Sequence, residues 1–450
     1  MIDAPSASCS RRSFLRASAT VAASLALGLE ARATSSPSTI PEYAGSLDDV
    51  MFVYDQCAAP HLIRQVVEIL RLLPADARVN VLVSRARAAA ARASMTDYGV
   101  AGLRWIVTDQ PGVSGLWARD VLQIARGADG GRIAHVPWFK GATAREELDR
   151  TRRTLAGLAD DDLSVRLLPI AGEGGNLIAD ASTLYAGSTI AAETRAVTRH
   201  FWGFDPGDDG VARVLEEAFG VDTVHWIGPR RDGACARQSR YVFHVDMLMT
   251  LVGPDEAVVA RCDPSRLDRT EHAERLAAEA ARTLEALERR EAAGIAWPED
   301  LDLPRDLGAR RAFLAARLED ERDALRHAAR EMDAAADRLE GLGVRAHRID
   351  ADPRRVRRYQ SATNVVCARD RLLVPLYPTQ DRVHGWVLRR DGDRDAVDVD
   401  LGTRDSDFEL IDDNRERVDF YRRLHPEVRA VRDYFHLASG NVHCVLGRLT

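Results

Sequence analysis

The stretch "VARVLEEAFG" at residues 211–220 is followed almost at once by "TVHWIG" at residues 223–228. Apolar residues at helical spacing in the first stretch predict an amphipathic helix. The β-branched and aromatic residues of the second stretch predict a short strand. A helix that leads directly into a strand is the building unit of α/β folds, so this stretch indicates the fold class.

The same helix–strand unit occurs five times along the chain. The units share no obvious sequence repeat, so the general alternation of α/β folds is the alternative interpretation. The other four units are "HLIRQVVEILRLL" (61–73) with "VNVLV" (79–83), "REELDRTRRTLAGL" (145–158) with "SVRLLPI" (164–170), "MDAAADRLEGLG" (332–343) with "VRAHRI" (344–349), and "RERVDFYRRLHP" (415–426) with "VRAVR" (428–432).

A polar motif accompanies each unit. Together the motifs supply carboxylate, histidine and asparagine side chains and a thiol, among them the two aspartates Asp120 and Asp246. If the five units surround a pseudo-fivefold axis, these groups meet at its centre in a single site. The motifs are "WARD" (117–120), "GEGGN" (172–176), "FHVD" (243–246), "TN" (363–364) and "SGNVHC" (439–444).

The chemistry of these groups suits a cationic substrate. Asp120 and Asp246 around one cavity would repel each other unless a cation lay between them. A planar guanidinium group fits best, because its rigid fork of N–H donors pairs bidentately with carboxylates. Cys444, as a thiolate, would add to the central carbon, and His244 would move protons between departing ammonia and incoming water.

The motifs "WARD", "EGGN", "HVD", "TN…VP" and "GNVHC" resemble, in this order, those of the agmatine deiminase and bacterial (Porphyromonas-type) peptidylarginine deiminase family. That family belongs to the pentein superfamily of guanidine-modifying enzymes, and the resemblance covers roughly residues 50–450 apart from an insertion. It implies a five-bladed, pseudo-fivefold α/β propeller.

The resemblance also implies roles for single residues. Asp120 and Asp246 resemble the guanidinium-binding carboxylates, His244 the acid and base, and Cys444 the nucleophile. Trp117 resembles the aromatic side chain that lines the substrate's alkyl stem. Asn364 resembles the polar residue that supports the histidine.

The sequence departs from the agmatine deiminases at two places. Those enzymes usually have glycine before the histidine of H-V-D, where this chain has Phe243. They also follow the cysteine with a T-x-Q-x-P-like stretch, where this chain has "VLGRLT". Both differences favour a substrate other than agmatine.

Strand geometry makes a specific prediction around His244. His244 and Asp246 alternate with Val245 in a β-rich run, so both are expected on one face of a strand. An exposed strand face is the alternative to a catalytic role. The same alternation directs His443 away from Cys444, so His443 is expected to be structural.

Three further residues are candidates for substrate binding. Glu173 and Asn176 lie in a glycine-rich turn, and the needs of the turn itself are the alternative explanation. Lys140 is the only lysine among 62 basic residues. It would meet a substrate carboxylate as a compact, mobile charge, with chance survival as the alternative.

The N-terminus has the features of an export signal. Arg11 and Arg12 precede a short Ala-rich apolar run, and Ala31-Arg32-Ala33 has the form of a cleavage site. This pattern is typical of twin-arginine signals, and the apolar run is shorter than the roughly 20 residues that span a bilayer. We therefore predict a signal over 1–33, a catalytic domain over 34–450 and a periplasmic or secreted protein.

Composition limits the partners and cofactors. Cleavage would change the net charge from −7 to about −9, which gives no long-range attraction to nucleic acid or anionic membranes.

No cysteine pair has C-x-x-C spacing, and "DGDRDAVDVDLG" (391–402) lacks the glycine and glutamate of a calcium loop. We expect no metal and no cofactor. Five cysteines would remain after cleavage, an odd number that leaves at least one thiol unpaired within the chain.

Residues 264–341 are predicted to form a helical hairpin inserted into the domain. Its second helix carries apolar residues at heptad spacing, interrupted at Glu321. A dimerisation arm or partner-binding element is the alternative to a purely structural hairpin. The heptad positions are Leu314, Leu318, Leu325, Ala328, Met332, Ala335, Leu339 and Leu342.

These features predict a deiminase that hydrolyses a guanidinium group to a ureido product and ammonia through a Cys-thiouronium intermediate. Its substrate would be a peptidyl-arginine or a small guanidino compound. The alternatives are an agmatine deiminase proper, an amidinotransferase that passes the same intermediate to an amine, and a non-catalytic guanidinium-binding scaffold.

Overall fold

A computed structural model describes most of the chain after residue 36. The described residues are 37–54, 60–108, 118–138, 163–266, 274, 307–356, 359–377, 412–433, 443 and 446–449. Within them no helix combines the length and the apolar character needed to cross a membrane.

The strands are short and are numbered in chain order. They are β1 Ser38–Thr39, β2 Asp49–Val53, β3 Arg78–Ser84, β4 Arg104–Thr108, β5 Gln123–Arg126, β6 Arg132–Trp138, β7 Leu163–Ala171, β8 Leu177–Ala179, β9 Thr183–Gly187, β10 Thr223–Ile227, β11 Arg230–Arg231, β12 Ala234–Cys235, β13 Met249–Gly253, β14 Glu256–Arg261, β15 Arg345–Asp350, β16 Val366–Cys367, β17 Leu372–Leu376, β18 Val428–Arg432 and β19 Gly447–Arg448.

The α-helices range from single turns to a 35-residue helix. They are α1 Pro60–Leu70, α2 Ala88–Asp97, α3 Ala118–Val121, α4 Ser188–Trp202, α5 Gly207–Phe219, α6 Leu307–Gly341, α7 Pro353–Val356 and α8 Asp412–Arg422. Single turns of 3₁₀ helix occur at Gly174–Asn176, Val245–Met247 and Pro264–Arg266.

Among the described residues, five sheets of three or four strands share one arrangement. In each sheet an antiparallel pair is followed by a strand that runs parallel to the second member of the pair. The orders are β1-β5-β6-β7, β10-β9-β8, β13-β14-β15, β16-β17-β18 and β19-β2-β3-β4, and β11 and β12 form a separate ribbon.

The parallel connections contain the helices that the sequence predicts. Helix α1 connects β2 to β3, α5 precedes β10, α6 precedes β15 and α8 precedes β18. The helix predicted over 145–158 lies outside the described residues, although its strand is present as β7.

The packing of α5 shows why this pattern folds as it does. Val211, Leu215 and Phe219 lie four apart and are at most 2% exposed. The helix ends at Gly220, whose φ of 62° is a left-handed value that glycine adopts without strain. A side chain at Gly220 would also overlap the carbonyl group of Pro37, so the glycine allows the start of the described chain to pack against this helix end.

The predicted hairpin needs a correction at its C-terminal end. Residues 332–341 of the unit that precedes β15 and the second predicted hairpin helix belong to one continuous helix, α6. From Glu321 onwards α6 is buried at regular intervals against β14 and β15, and Leu325, Met332 and Leu339 are at most 2% exposed. This half of α6 belongs to the hydrophobic core, whereas of the first predicted hairpin helix the structure describes only Glu274, which is helical.

Candidate active site

Two motifs are held together by a close approach of their backbones. Helix α3, which contains the backbone of Asp120, contacts the 3₁₀ turn Gly174–Asn176. Gln123 Nε2 donates to the carbonyl oxygen of Gly174 at 2.6 Å. A Cβ atom at Gly174 would overlap the carbonyl oxygen of Arg119, so only glycine permits this contact.

The same turn holds the histidine motif through two side chains. Glu173 Oε2 lies 2.5 Å from His244 Nε2, and the His244 side chain is 5% exposed. Asn176, which is buried, accepts a hydrogen bond from the backbone N–H of Val245 at 2.8 Å. Glu173 thus contacts the imidazole, and Asn176 fixes the backbone beside it.

Residues around His244 are not arranged as the predicted strand. His244 has extended dihedral angles, but Val245–Met247 form one turn of 3₁₀ helix before β13 begins. His244 and Asp246 are nevertheless both buried, at 4% and 1% exposure, which excludes the exposed strand face. The prediction of alternating strand faces is therefore wrong, because successive side chains in a 3₁₀ turn do not point to opposite faces as they do in a strand.

Asp246 contacts the residue that precedes Cys444 in the sequence. Its Oδ2 atom lies 2.9 Å from His443 Nδ1, and both side chains are buried. The Asp246 carbonyl oxygen also accepts a hydrogen bond from Thr363 Oγ1 at 3.0 Å. His443 therefore contacts a proposed substrate-binding carboxylate, which its sequence position alone did not indicate.

Asn364 lies in the same cluster. It is fully buried, and its Oδ1 atom accepts a hydrogen bond from the backbone N–H of His443 at 3.2 Å. The family resemblance predicts support for the catalytic histidine. The described hydrogen bond supports the backbone next to Cys444.

A buried ionic cluster lies behind these residues and was missed by sequence reasoning. Glu42 pairs with both Arg119 and Arg448 and lies 3.8 Å from His443 Nε2. Burial alone raises the pKa of Glu42, but the two guanidinium groups and His443 outweigh it and hold the pKa well below its usual value. No local pattern in the sequence connects these residues, since Glu42 and Arg448 are 406 positions apart.

Phe243, the residue that replaces the usual glycine, packs edge-on against His244 with ring centroids 4.6 Å apart. The Phe243 ring also packs against the Tyr359 ring, with ring centroids 5.8 Å apart. Tyr359 has a φ of 61°, a value rare for a bulky side chain. The Phe243 ring therefore contacts both the His244 imidazole and the Tyr359 ring.

Three cysteines can be compared directly. Cys235, Cys262 and Cys367 are buried and are not in disulfides. Burial raises the pKa of each thiol to about 12. A thiol with so high a pKa is almost never the reactive thiolate at neutral pH, so these three are poor nucleophiles.

The structure does not place every predicted site residue. Trp117, Lys140 and Cys444 lie outside the described residues, as does the side chain of Asp120. Within the described part of the chain, no group of three or more side chains is arranged to hold a metal ion.

Comparison with solved structures identifies the fold. The agmatine deiminase of C. jejuni is 12% identical with a TM-score of 0.51, over 92% of this chain and 96% of that chain. The agmatine deiminase of Enterococcus faecalis is 12% identical with a TM-score of 0.52, over 93% and 98%. A protein assigned as a peptidyl-arginine deiminase is 13% identical with a TM-score of 0.56, over 92% and 99%. At these identities the similarity shows the mixed α/β fold alone.

Comparison of sequences identifies the family. No curated protein sequence matches the chain. The sequence profile of the Porphyromonas-type peptidyl-arginine deiminases matches residues 55–390, about three quarters of the chain. The match spans the first four polar motifs, from "WARD" to "TN". The chain therefore belongs to the Porphyromonas-type peptidyl-arginine deiminase family, and it is a hydrolase that acts on a C–N bond of an amidine group.

Proposed function

We propose that the protein is an exported deiminase that converts a guanidinium group into a ureido group and ammonia. The observation that carries the proposal is the contact between His244 and Glu173. His244 lies two residues before Asp246, whose carboxylate is buried. An imidazole held by a carboxylate, next to a second carboxylate, suits proton transfer at a cationic substrate.

In the proposed mechanism, Asp120 and Asp246 accept hydrogen bonds from the guanidinium N–H groups. The Cys444 thiolate adds to the central carbon, and a C–N bond then breaks as His244 donates a proton to the departing ammonia. The product of this half-reaction is a thiouronium bound to Cys444. His244 next removes a proton from water, which adds to the same carbon, and the C–S bond breaks to release the ureido product and the thiolate.

Glu173 has a defined part in this sequence. Its carboxylate contacts His244 Nε2 and would stabilise the imidazolium form that must exist before ammonia leaves.

The described cysteines are poor thiolates, so Cys444 and Cys57 are the remaining candidates for the nucleophile in the mature protein. Of these two, only Cys444 lies in a family motif.

The five similar sheets support a five-bladed propeller as the arrangement that brings these groups together. Contacts of the turn Gly174–Asn176 with both α3 and the turn Val245–Met247 agree with it, because these three segments belong to three different units.

For the substrate we propose a peptidyl-arginine or a small guanidino compound other than agmatine. Phe243 supports this choice, because its ring occupies space beside His244 that glycine would leave open. Export supports it as well, since a periplasmic or secreted enzyme meets peptides rather than cytoplasmic polyamine precursors.

A substrate panel tests the proposal. Purified mature protein is incubated with agmatine, free arginine, arginine amide and peptides with internal or terminal arginine, and ureido product and ammonia are measured. We expect equal amounts of both products from at least one substrate, and neither from Cys444→Ser. If no substrate yields both a ureido product and ammonia, the proposed deiminase activity is refuted. Transfer of the amidino group to an added amine would instead identify an amidinotransferase.

Export is tested separately. Replacing Arg11 and Arg12 together by lysine should retain the precursor inside the cell, as expected for a twin-arginine signal. Continued export of the double variant would show that residues 1–33 act in another way.

A further inference from the structure

His443 and Asp246 form a hydrogen-bonded pair that is shielded from water. His443 Nδ1 and Asp246 Oδ2 are 2.9 Å apart, and their side chains are 7% and 2% exposed. Binding of a guanidinium cation requires Asp246 as a carboxylate, which can only accept hydrogen bonds, so in that state Nδ1 is the donor. The contact thereby fixes both the orientation of the carboxylate and the position of the imidazole proton.

One short segment holds the backbones of both residues. Thr363 Oγ1 donates to the carbonyl oxygen of Asp246, and Asn364 Oδ1 accepts from the N–H of His443. Ser361 Oγ in turn accepts from the N–H groups of Thr363 and Asn364, at 3.1 and 3.2 Å. Neighbouring residues of one loop thus fix the pair from the backbone side, which leaves little freedom for the carboxylate to turn.

The other nitrogen of His443 faces a second buried negative charge. Nε2 lies 3.8 Å from Glu42 Oε2, and Glu42 is held in turn by Arg119 and Arg448. Arg119 immediately precedes Asp120 in the sequence, and Arg448 follows Cys444 by four residues. His443 is therefore the link between this ionic cluster and Asp246.

We propose that His443 is a positioning residue, whose Nδ1–H holds the Asp246 carboxylate in the orientation that receives the guanidinium group. The inference rests on the proposed function, in which Asp246 binds the substrate cation. It replaces the expectation from strand alternation that His443 has only a structural role. A guanidinium that binds bidentately needs both carboxylate oxygens in a defined plane, so an oriented donor to one oxygen strengthens binding.

The chain offers a matched set of variants for this test. In His443→Asn the amide nitrogen lies where Nδ1 lies and can still donate to Asp246, whereas His443→Leu fills similar volume without a donor. His135→Leu is the control for loss of a buried histidine, because His135 is 5% exposed and its ring packs against Phe219 of α5. Binding of arginine amide is measured by calorimetry in a Cys444→Ser background, and thermal midpoints are recorded for all variants.

We expect His443→Leu to bind arginine amide about 10- to 100-fold more weakly than the parent, as for loss of a buried hydrogen bond to a charged group. His443→Asn should stay within about threefold of the parent, and His135→Leu should not change binding even where it lowers the thermal midpoint. With Cys444 restored, the loss in His443→Leu should appear in KM and kcat together, because Asp246 holds charge in ground and transition states alike.

The two possible failures are distinguishable. If the Cys444→Ser parent binds none of the guanidines in the panel, the proposed function is refuted, and this inference with it. If the parent binds arginine amide and His443→Leu binds it equally well or more tightly, only the inference is overturned. The same holds if His443→Asn and His443→Leu lose binding equally, since the donor to Asp246 would then be irrelevant.

Discussion

At the scale of single residues, burial makes Cys235, Cys262 and Cys367 poor nucleophiles, and a labelling experiment can test the proposed role of Cys444. Chloroacetamidine mimics a guanidinium group and carries a leaving group, so it should alkylate the thiol that faces the guanidinium site. We expect mass spectrometry to find the label on Cys444 and not on Cys235, Cys262 or Cys367, because burial raises the pKa of those three thiols to about 12.

Excess arginine amide should slow this labelling, and Cys444→Ser should abolish it. Iodoacetamide on the urea-unfolded protein is the control, because every thiol is then accessible and should react. A label on Cys367 of the native protein, or one spread evenly over all the thiols, would contradict the assignment of Cys444.

At the scale of elements, a buried glutamate on α6 holds the segment that leads to His244. The backbone N–H of Ser239 donates to Glu331 Oε1 and Oε2 at 3.0 and 3.2 Å, and His327 Nε2 lies 3.2 Å from Oε1. Burial raises the pKa of Glu331 from 4.5 to about 7, although the Ser239 hydrogen bond and Arg330 act in the opposite direction.

A raised pKa in the folded state means that the folded protein binds this proton more tightly than the unfolded chain. Glu331 therefore destabilises the fold progressively as pH rises from about 4.5 to about 7, by about 3 kcal/mol in total, and the cost is constant above that range. Burial lowers the pKa of the neighbouring His327, which lowers stability as pH falls instead.

Glu331→Gln should remove the contribution of Glu331 and leave that of His327. In urea unfolding we expect the variant to match the parent near pH 4.5 and to be more stable at pH 8. Glu319→Gln is the control on the same helix, because the Glu319 side chain is half exposed and its ion pair with Arg322, at 3.3 Å, lies within the helix itself. An identical pH dependence in the parent and Glu331→Gln would show that Glu331 is ionised at no cost.

The boundary of the inserted segment can be tested on the same helix. The described side chains between 312 and 320 are exposed, whereas Leu325, Met332 and Leu339 are in the core. Deleting 267–320 with a Gly/Ser bridge should leave cooperative unfolding and turnover of a small guanidine largely intact. Deleting 267–341 should prevent folding, since each large core side chain contributes roughly 1.5–3 kcal/mol. Failure of the shorter deletion to fold would mean that the exposed half of α6 is also required.

The elements that the sequence predicts correctly are those with a periodic pattern. Helix α5 follows from apolar residues at helical spacing, and strand β10 follows from its β-branched and aromatic residues. The 3₁₀ turn at Val245–Met247 was not predictable in this way, since three residues are too few to show a period. The contacts of His443 and Glu42 were not predictable either, because they depend on segments from distant units.

At the scale of the whole molecule, residues near the two ends of the described part of the chain pack together. Strand β19 pairs with β2, and Arg448 donates to the carbonyl oxygens of Glu42 and Cys367 at 2.7 and 2.9 Å. The Glu42 carboxylate pairs in addition with Arg448 and Arg119, and all three side chains are buried. A single carboxylate thus pairs with two guanidinium groups from different parts of the chain.

Glu42→Ala should therefore destabilise the protein far more than loss of a surface ion pair. Removing one member of a buried ionic cluster leaves the others without compensation and costs about 3–5 kcal/mol. Asp320→Ala is the matched control, because Asp320 pairs with Arg240 at 2.8 Å on the surface and its loss costs about 1 kcal/mol or less. Glu42→Gln should fall closer to Glu42→Ala than to the parent, because its amide keeps hydrogen bonds but not the charge. Urea unfolding measures all three variants, and equal stability of Glu42→Ala and Asp320→Ala would show that the cluster does not hold the two ends of the chain together.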